Sequence, residues 1–351
     1  MRIVARWLGA AAAPLWLGVL VLTLSGPASW SSVAYVLASG AAVACMITAP
    51  RRAERHRGLL RLSGAALLLV VGARWLTAGA GERVSMRRSN GDGGARLVDR
   101  LFDEGAVATA GARVLVMAGA LPDPEAADVP PALSAAYRKM RAREGDAPSP
   151  VLSTFLGLDR PASFELLVVS PPRPPRAALI FLHGFAGSFD LPCWQLGAAL
   201  EDVDVEVYCP SEGVRGDWTS RAGRETLART RAIVDARGLD TVFLAGLSNG
   251  GIGASRLVAS GRYAGLVLVS GVDPSAPPPR VPTLVVHGAR DTMTSAPLAR
   301  GWAARVGARW VSLDSGHFAM LLHAEESDAA VHAFVAPRVP RASRVGVVAG
   351  Q

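Results

Sequence analysis

From Phe164 onward the chain repeats one pattern: a short apolar run rich in β-branched residues, a turn of Gly, Ser or Asp, then a stretch of helical periodicity. The apolar runs are Glu165 to Val169, Ala178 to Leu182, Val205 to Tyr208, Thr241 to Ala245, Gly265 to Val269, Thr283 to Val286 and Arg309 to Leu313. Helical stretches lie near 192–201, 224–237, 250–260, 296–306 and 324–335. Runs that are apolar throughout belong to strands buried on both faces. The pattern therefore predicts an α/β fold, a doubly wound and mostly parallel sheet covered by helices on both sides. In such sheets the chemistry gathers in loops beyond the carboxyl ends of the strands.

Those loops hold the residues that matter. The run Thr241 to Ala245 leads directly into Gly246, Leu247, Ser248, Asn249, Gly250 and Gly251, and then into a helix. A strand-to-helix turn this tight strains the central serine, and glycines at 246 and 250 leave the room because they lack Cβ. The hydroxyl is thereby held above the sheet with a helix amino terminus behind it. A Gly-x-Ser-x-Gly string alone is a weak signal, and its place between strand and helix makes it specific. A serine hydroxyl is a poor nucleophile at neutral pH and needs a base that is itself held by a carboxylate. Asp291 follows one strand through His287, Gly288, Ala289 and Arg290, and His317 follows the next through Asp314, Ser315 and Gly316.

On these residues, together with His183, Gly184, Phe185, Ala186 and Gly187 after an early strand, residues 164–337 resemble an α/β-hydrolase of small, nearly capless form. The resemblance implies Ser248 as nucleophile, Asp291 as orienting acid and His317 as general base, with no cofactor. It also implies an oxyanion hole from the backbone N–H groups of Asn249 and of Phe185 or its neighbour Ala186. His183 belongs to the oxyanion loop and is expected to brace it, and His287 is expected to be structural. Asp314 and Asp273 are the alternatives for the acid, while His56, His323 and His332 read as solvated or packed.

Ser270 to Val281 is too short for a lid domain, so the pocket is expected to be open, with His183, Gly184, Phe189, Trp194 and Trp218 beside the substrate. The expected activity is hydrolysis of a small-molecule or lipid-like carboxylic ester through an acyl-enzyme. A peptidase or acyltransferase would use the same triad, and a silent binding module on this fold would usually have lost one member of it. In this fold Cys193 and Cys209 lie near one rim. Outside the cytoplasm they could pair, and otherwise they are two buried thiols.

The amino-terminal part has no counterpart in soluble members of that family. Trp7 to Leu24 is a run of 18 residues without a charge, Ser31 to Ala49 is a second, and Leu59 to Gly81 is a third that carries Arg61 and Arg74. Each is about long enough to cross the hydrocarbon core as a helix, with the two arginines expected to snorkel toward headgroups. Residues 1–24 also fit a secretory signal with small residues near Ala28. The uncharged loop Ser25 to Trp30 is expected outside, and the loop bearing Arg51, Arg52, Arg55 and Arg57 inside. If the third helix spans, everything after about residue 82 lies outside the cytoplasm. The expected organisation is three transmembrane helices in 1–82, a linker with an accessory helical segment in 83–150, a catalytic domain in 151–338 and a tail in 339–351.

Within 83–150, Ser89 to Gly94 reads as a linker, Arg96 to Glu104 and Ala132 to Arg143 as helices and Arg113 to Met117 as a strand, with no catalytic constellation. Half the residues are hydrophobic and 3 are cysteine, which excludes a disordered chain and a disulfide-built miniprotein. The net charge of +8 comes with 36 arginines and one lysine, Lys139, and the charges do not gather among stacking aromatics. A nucleic-acid partner is therefore not expected. No His-x-x-x-His or paired-cysteine spacing suggests a metal.

Overall fold

In the computed structural model the apolar runs after Phe164 form strands whose residues are almost all buried, because helices cover both faces of the sheet they build. The structure describes residues 2–24, 29–48, 53–79, 81–91 and 93–341. The loop positions 25–28 with the possible cleavage site at Ala28, Arg51, Arg52, Asp92 and the tail positions 342–351 lie outside the described residues.

The elements in chain order are α1 (Arg2–Leu24), α2 (Trp30–Thr48), α3 (Ala53–Thr77), β1 (Val84–Arg88), α4 (Glu104–Met117), α5 (Val129–Glu144), α6 (Val151–Phe155), β2 (Glu165–Val169), β3 (Ala177–Leu182) and α7 (Asp190–Ala199). They continue with β4 (Val205–Pro210), α8 (Arg221–Ala236), β5 (Val242–Leu247), α9 (Asn249–Leu257), β6 (Gly265–Val269), β7 (Thr283–Gly288), α10 (Ala296–Val306), β8 (Arg309–Leu313), α11 (Ala319–Leu322) and α12 (Ala324–Val335).

The strands form one sheet in the order β1-β2-β4-β3-β5-β6-β7-β8. The pairs β1/β2 and β2/β4 are antiparallel, and the rest of the sheet is parallel from β4 to β8. Alternate residues of each strand enter two separate cores. On one face Leu179, Phe181 and Val207 meet Trp194, Leu196 and Phe334, and on the other Ile180, Leu182 and Leu244 meet Trp218, Leu257 and Trp302. This division is what a sheet buried on both sides requires of its sequence.

The segment expected to connect membrane and sheet is part of the sheet. β1 pairs with β2 in register from Val84 opposite Val169 to Arg88 opposite Glu165. Of the stretch expected as a linker, Ser89 to Gly91 turns away from this edge strand and Gly94 returns to it through a bridge with Arg87, while Asp92 lies outside the described residues. Arg113 to Met117 is helical, not extended. Asp103 caps the helix by accepting from the Ala106 N–H at 2.8 Å, and the alanine-rich stretch it starts carries Val114 and Val116 along. The same cap ends the helix expected over Arg96 to Glu104, which is reduced to a 3₁₀ turn at Leu97–Arg100.

Three helices among the described residues are long and apolar enough to span a membrane, over Arg6–Thr23, Trp30–Thr48 and Arg57–Thr77. α1 and α2 are joined by the Trp16 indole, which donates to the Val36 carbonyl at 3.0 Å. Arg74 does not snorkel. Its side chain is fully buried, Nε donates to the Arg100 carbonyl at 3.1 Å, Nη2 donates to the Phe102 carbonyl at 2.9 Å, and Nη1 pairs with Asp146. The residue sits in the last turn of α3, where the 3₁₀ turn and the end of α5 supply protein acceptors in place of headgroups.

Candidate active site

β5 ends at Leu247 and α9 starts at Asn249, so one residue makes the whole turn. That residue, Ser248, has φ 53° and ψ −120°, a conformation few L-residues adopt. The turn closes only because its flanks are glycine. A Cβ on Gly250 would stand 1.9 Å from the Leu182 carbonyl oxygen, and one on Gly246 2.3 Å from the Gly250 oxygen. Ser248 is tied to the sheet through its N–H, which donates to the Val269 carbonyl at 2.9 Å.

Three residues from three different loops then meet. Ser248 Oγ lies 3.0 Å from His317 Nε2, and His317 Nδ1 lies 2.9 Å from Asp291 Oδ2. Burial opposes ionisation of the Asp291 carboxyl. Hydrogen bonds from His287 and His317, the nearness of His317 and the Thr294 N–H outweigh it and hold the group well below the ordinary carboxylate range. An ionised Asp291 can only accept, so His317 Nδ1 carries the proton and Nε2 presents its lone pair to the serine hydroxyl. The other carboxylate oxygen is fixed by the N–H groups of Met293 at 2.8 Å and Thr294 at 2.9 Å.

His287 is fully buried, stacked on Trp310, with Nε2 3.3 Å from both Asp291 Oδ2 and the Thr294 carbonyl. It backs Asp291 and makes no hydrogen bond to the serine. The alternative acids are engaged elsewhere: Asp314 pairs with Arg290, and Asp273 with Arg256 and Ser275. His332 meets Asp202 at 3.1 Å and His323 meets Glu326 at 3.6 Å.

The loop after β3 lies against the serine, since a Cβ on Gly184 would be 3.0 Å from Ser248 Cβ. Phe185 points outward with 65 % of its surface exposed, and Ala186 adopts φ 76°. Asn249 is the first residue of α9, where backbone N–H groups have no partner within the helix. Its side-chain amide donates to the Arg215 carbonyl at 2.8 Å. His183 is buried and braces this corner. Its Nε2 accepts from the Glu212 N–H at 3.0 Å, so its Nδ1–H donates to the Gly184 carbonyl at 2.8 Å. Desolvation lowers the ring to about 4, against weaker support for the charged form from the Gly184 carbonyl.

That shift has a consequence for stability. An imidazole that titrates at 6.5 when unfolded and at about 4 when folded contributes fully above pH 6.5, and the contribution is lost as pH falls through about 4. Its full size is about 3 kcal/mol. Thermal unfolding followed between pH 7 and pH 4, about the range the ring titrates over, should show a steeper decline for the wild type than for His183→Gln. Parallel curves would remove His183 as the cause.

Of the residues expected beside the substrate, Gly184 stands at the serine and Phe189 is half-buried at the start of α7. Two do not line a cleft. Trp218 is 1 % exposed, its indole donating to the His183 carbonyl at 2.9 Å and its ring edge-on to His183. Trp194 is 5 % exposed, donates to Glu144 at 3.1 Å and faces a separate cavity of about 580 Å³ that also touches Glu82, Lys139, Arg143 and Asp328. Both tryptophans are needed to fill the two cores, and packing outcompetes exposure. Cys193 and Cys209 are joined by a disulfide between α7 and β4.

The segment in which no constellation was expected supplies a clamp on the histidine. Asp123 accepts from the His317 N–H at 2.5 Å, and Glu125 accepts from the Gly316 N–H and the Ser315 hydroxyl, both at 2.6 Å. The Pro122 carbonyl accepts from Thr292 Oγ1 at 2.5 Å, next to Asp291. The fit leaves no room for a side chain between them, because a Cβ on Gly316 would stand 2.4 Å from the Asp123 carboxylate. Burial opposes ionisation of Glu125, but the Ser315 and Gly316 hydrogen bonds and the Arg290 guanidinium outweigh it and hold the carboxyl below its ordinary range. Nothing in Leu121 to Glu125 but a proline-flanked pair of acids marks this role in the sequence.

No family model and no curated protein matches the chain. Among solved structures it is similar to an α/β serine hydrolase homologue from Coxiella burnetii, at 18% identity and TM-score 0.41, covering 49% of this chain and 91% of that one. It is also similar to a lidless α/β serine hydrolase from Xanthomonas campestris, at 17% identity and TM-score 0.42 over 52% and 92%. A third, Est1E from Butyrivibrio proteoclasticus, matches at 16% identity and TM-score 0.41 over 51% and 96%. By its strand order, and by the single-residue turn between β5 and α9, the chain from Val84 onward has the α/β-hydrolase fold, preceded by three apolar helices.

Proposed function

We propose that the protein is a membrane-anchored serine hydrolase that cleaves carboxylic esters through an acyl-enzyme. The observation that carries this reading is the unbroken hydrogen-bond chain from Ser248 Oγ through His317 to Asp291, starting at a serine with positive φ. As the Ser248 Oγ–carbon bond forms, the hydroxyl proton passes to His317 Nε2. The ester C–O bond then breaks as the leaving alcohol takes that proton. Water repeats the sequence on the acyl-enzyme and releases the acid. Asp291 stays ionised throughout, fixing the tautomer and offsetting the imidazolium charge. Backbone N–H groups of Asn249 and of Phe185 or Ala186 are assigned to the developing oxyanion, at about 3 kcal/mol of transition-state stabilisation for one donor.

A peptidase would share these steps with an amine as leaving group, and an acyltransferase with an alcohol or amine in place of water. A fluorophosphonate probe is expected to label the full-length protein, with the adduct found by mass spectrometry on Ser248. A panel of p-nitrophenyl esters of graded chain length, run beside peptide and lipid substrates, separates the activities. An adduct on another residue, or no adduct, would sink the reading.

In this mechanism Asp123 and Glu125 are positioning residues. They fix the backbone of His317 and touch none of the reacting atoms. Asp123→Ala with Glu125→Ala is expected to lower kcat about a hundredfold, since a misplacement of roughly 1 Å suffices for that, with KM little changed. Glu125→Gln keeps an acceptor oxygen and should retain most of the activity. A fall in KM-dependent binding alone, with kcat intact, would argue against the assignment.

The catalytic part is assigned to the extracytoplasmic side. The arginine loop after α2 favours the inside and three spans reverse the side, while the Cys193–Cys209 disulfide suits an oxidising compartment.

A further inference from the structure

Exposed large apolar side chains are unevenly spread over the part of the chain after α3. Among the described residues nearly all of them, Leu298 apart, lie on the 3₁₀ turn, on α4, on and just after α6, or on the loops that carry Phe185 and Met293. Among the described residues the rest of the surface over the sheet has no comparable cluster of exposed large apolar side chains. An apolar area of this kind on a folded domain marks a surface that something covers.

The patch has two flanks, one on each side of the loops around Ser248. On the first, α4 exposes Val114, Leu115 and Met117 and then runs into the loop whose Pro122, Asp123 and Glu125 hold Thr292, Gly316 and His317. On the second, Phe155 and Leu156 end α6, and a Cβ on Gly187 would lie 3.9 Å from the Phe155 ring, two residues from exposed Phe185. Ser248 lies between the loops that these flanks support.

Both flanks are also fastened to the ends of the apolar helices. Arg113, one turn before Met117, donates to the Leu22 carbonyl at the end of α1 at 3.4 Å. Asp99 of the 3₁₀ turn accepts from the Ser153 N–H of α6 at 3.2 Å, while Arg100 of the same turn accepts from Arg74 near the end of α3. Phe102 stacks on Tyr35 of α2 with centroids 5.6 Å apart, and Trp30 at the start of α2 and Trp75 near the end of α3 are half exposed. Aromatic residues at helix ends mark the headgroup region. The apolar flanks therefore continue a surface that is already at the bilayer boundary.

We propose that the opening over Ser248 faces the bilayer and takes a membrane-resident ester with long acyl chains, which enters between α4 and α6 without leaving the lipid. The bilayer is the occupant of the apolar flanks and does the work of the lid that Ser270 to Val281 is too short to provide. This rests on the serine-hydrolase reading and adds to it the substrate class and the route of entry.

The test uses the full chain in vesicles of diether phosphatidylcholine, which has no ester to cleave, carrying a fluorogenic long-chain diacylglycerol. Soluble p-nitrophenyl butyrate is the second substrate. Leu115→Glu with Met117→Glu on one flank, and Leu156→Glu on the other, place charge on the apolar surface without touching the residues assigned to chemistry. Each variant is expected to lower diacylglycerol turnover about tenfold, the factor that 1.4 kcal/mol provides, while butyrate turnover and fluorophosphonate labelling stay at the wild-type level. Unchanged diacylglycerol turnover in both variants overturns the proposal, as does an equal fall with both substrates. A wild type that cleaves butyrate but not the embedded ester overturns this proposal alone. A wild type that cleaves neither and takes no probe removes the hydrolase reading itself.

Discussion

Ser248→Ala is expected to lower kcat for a soluble ester by about a millionfold, His317→Ala by a similar factor, and the double variant by no more than either alone. The reason is that the hydroxyl and the imidazole act as one unit. Without His317 no group takes the proton at 3.0 Å from Ser248 Oγ, and without Ser248 the base has nothing to activate. What remains in each variant is the same, the stabilisation provided by the backbone N–H groups and by binding. Circular dichroism should show all three variants folded, because neither side chain fills a core: His317 is at the rim of the sheet and Ser248 is held by its backbone. Losses that multiply in the double variant would mean the two residues work independently.

The second large effect concerns backbone space. In Gly250→Ala the new methyl would meet the Leu182 oxygen at 1.9 Å, the Leu182 carbonyl carbon at 2.5 Å and the His183 oxygen at 2.7 Å. These are main-chain atoms of β3 and the loop that follows it, so no rotamer change relieves the contact. The elbow and the loop must separate, at a cost above about 4 kcal/mol, beyond the roughly 1–3 kcal/mol typical of overpacked cores because main-chain atoms cannot step aside. Gly213→Ala, where a Cβ meets nothing within 4 Å, is the control and should be near neutral. The measurement is thermal unfolding of the detergent-solubilised full chain. Equal midpoints for the two variants would show that the turn tolerates what its geometry forbids.

Much of this was readable from the residues. Continuous apolar runs identified the strands because the sheet is covered on both faces, and the helices over 296–306 and 324–335 fall where their periodicity indicated. That Ser248, Asp291 and His317 would meet was legible because each sits at a strand end beside the glycines its turn needs. The clamp was not. Asp123 reaches His317 across 194 positions of sequence, and an acid that accepts from a backbone N–H leaves no periodic or motif signal. Nor was β1, since Val84 to Arg88 includes two arginines and only its pairing with β2 makes it a strand. Trp194 and Trp218 misled for the opposite reason: an aromatic on a loop near a site reads as a wall, and only packing shows that it is interior. The same is true of Arg74, whose partners at 100, 102 and 146 are remote in the chain.

The connection between α3 and β1 has a further meaning. Thr77 and Val84 bound a joint of six residues, which even fully drawn out reaches only about 20 Å. A longer stalk would let the catalytic body wander through the surrounding fluid. This one holds the body that carries Ser248 within that short reach of the last apolar helix, as a bracket holds a tool to a bench.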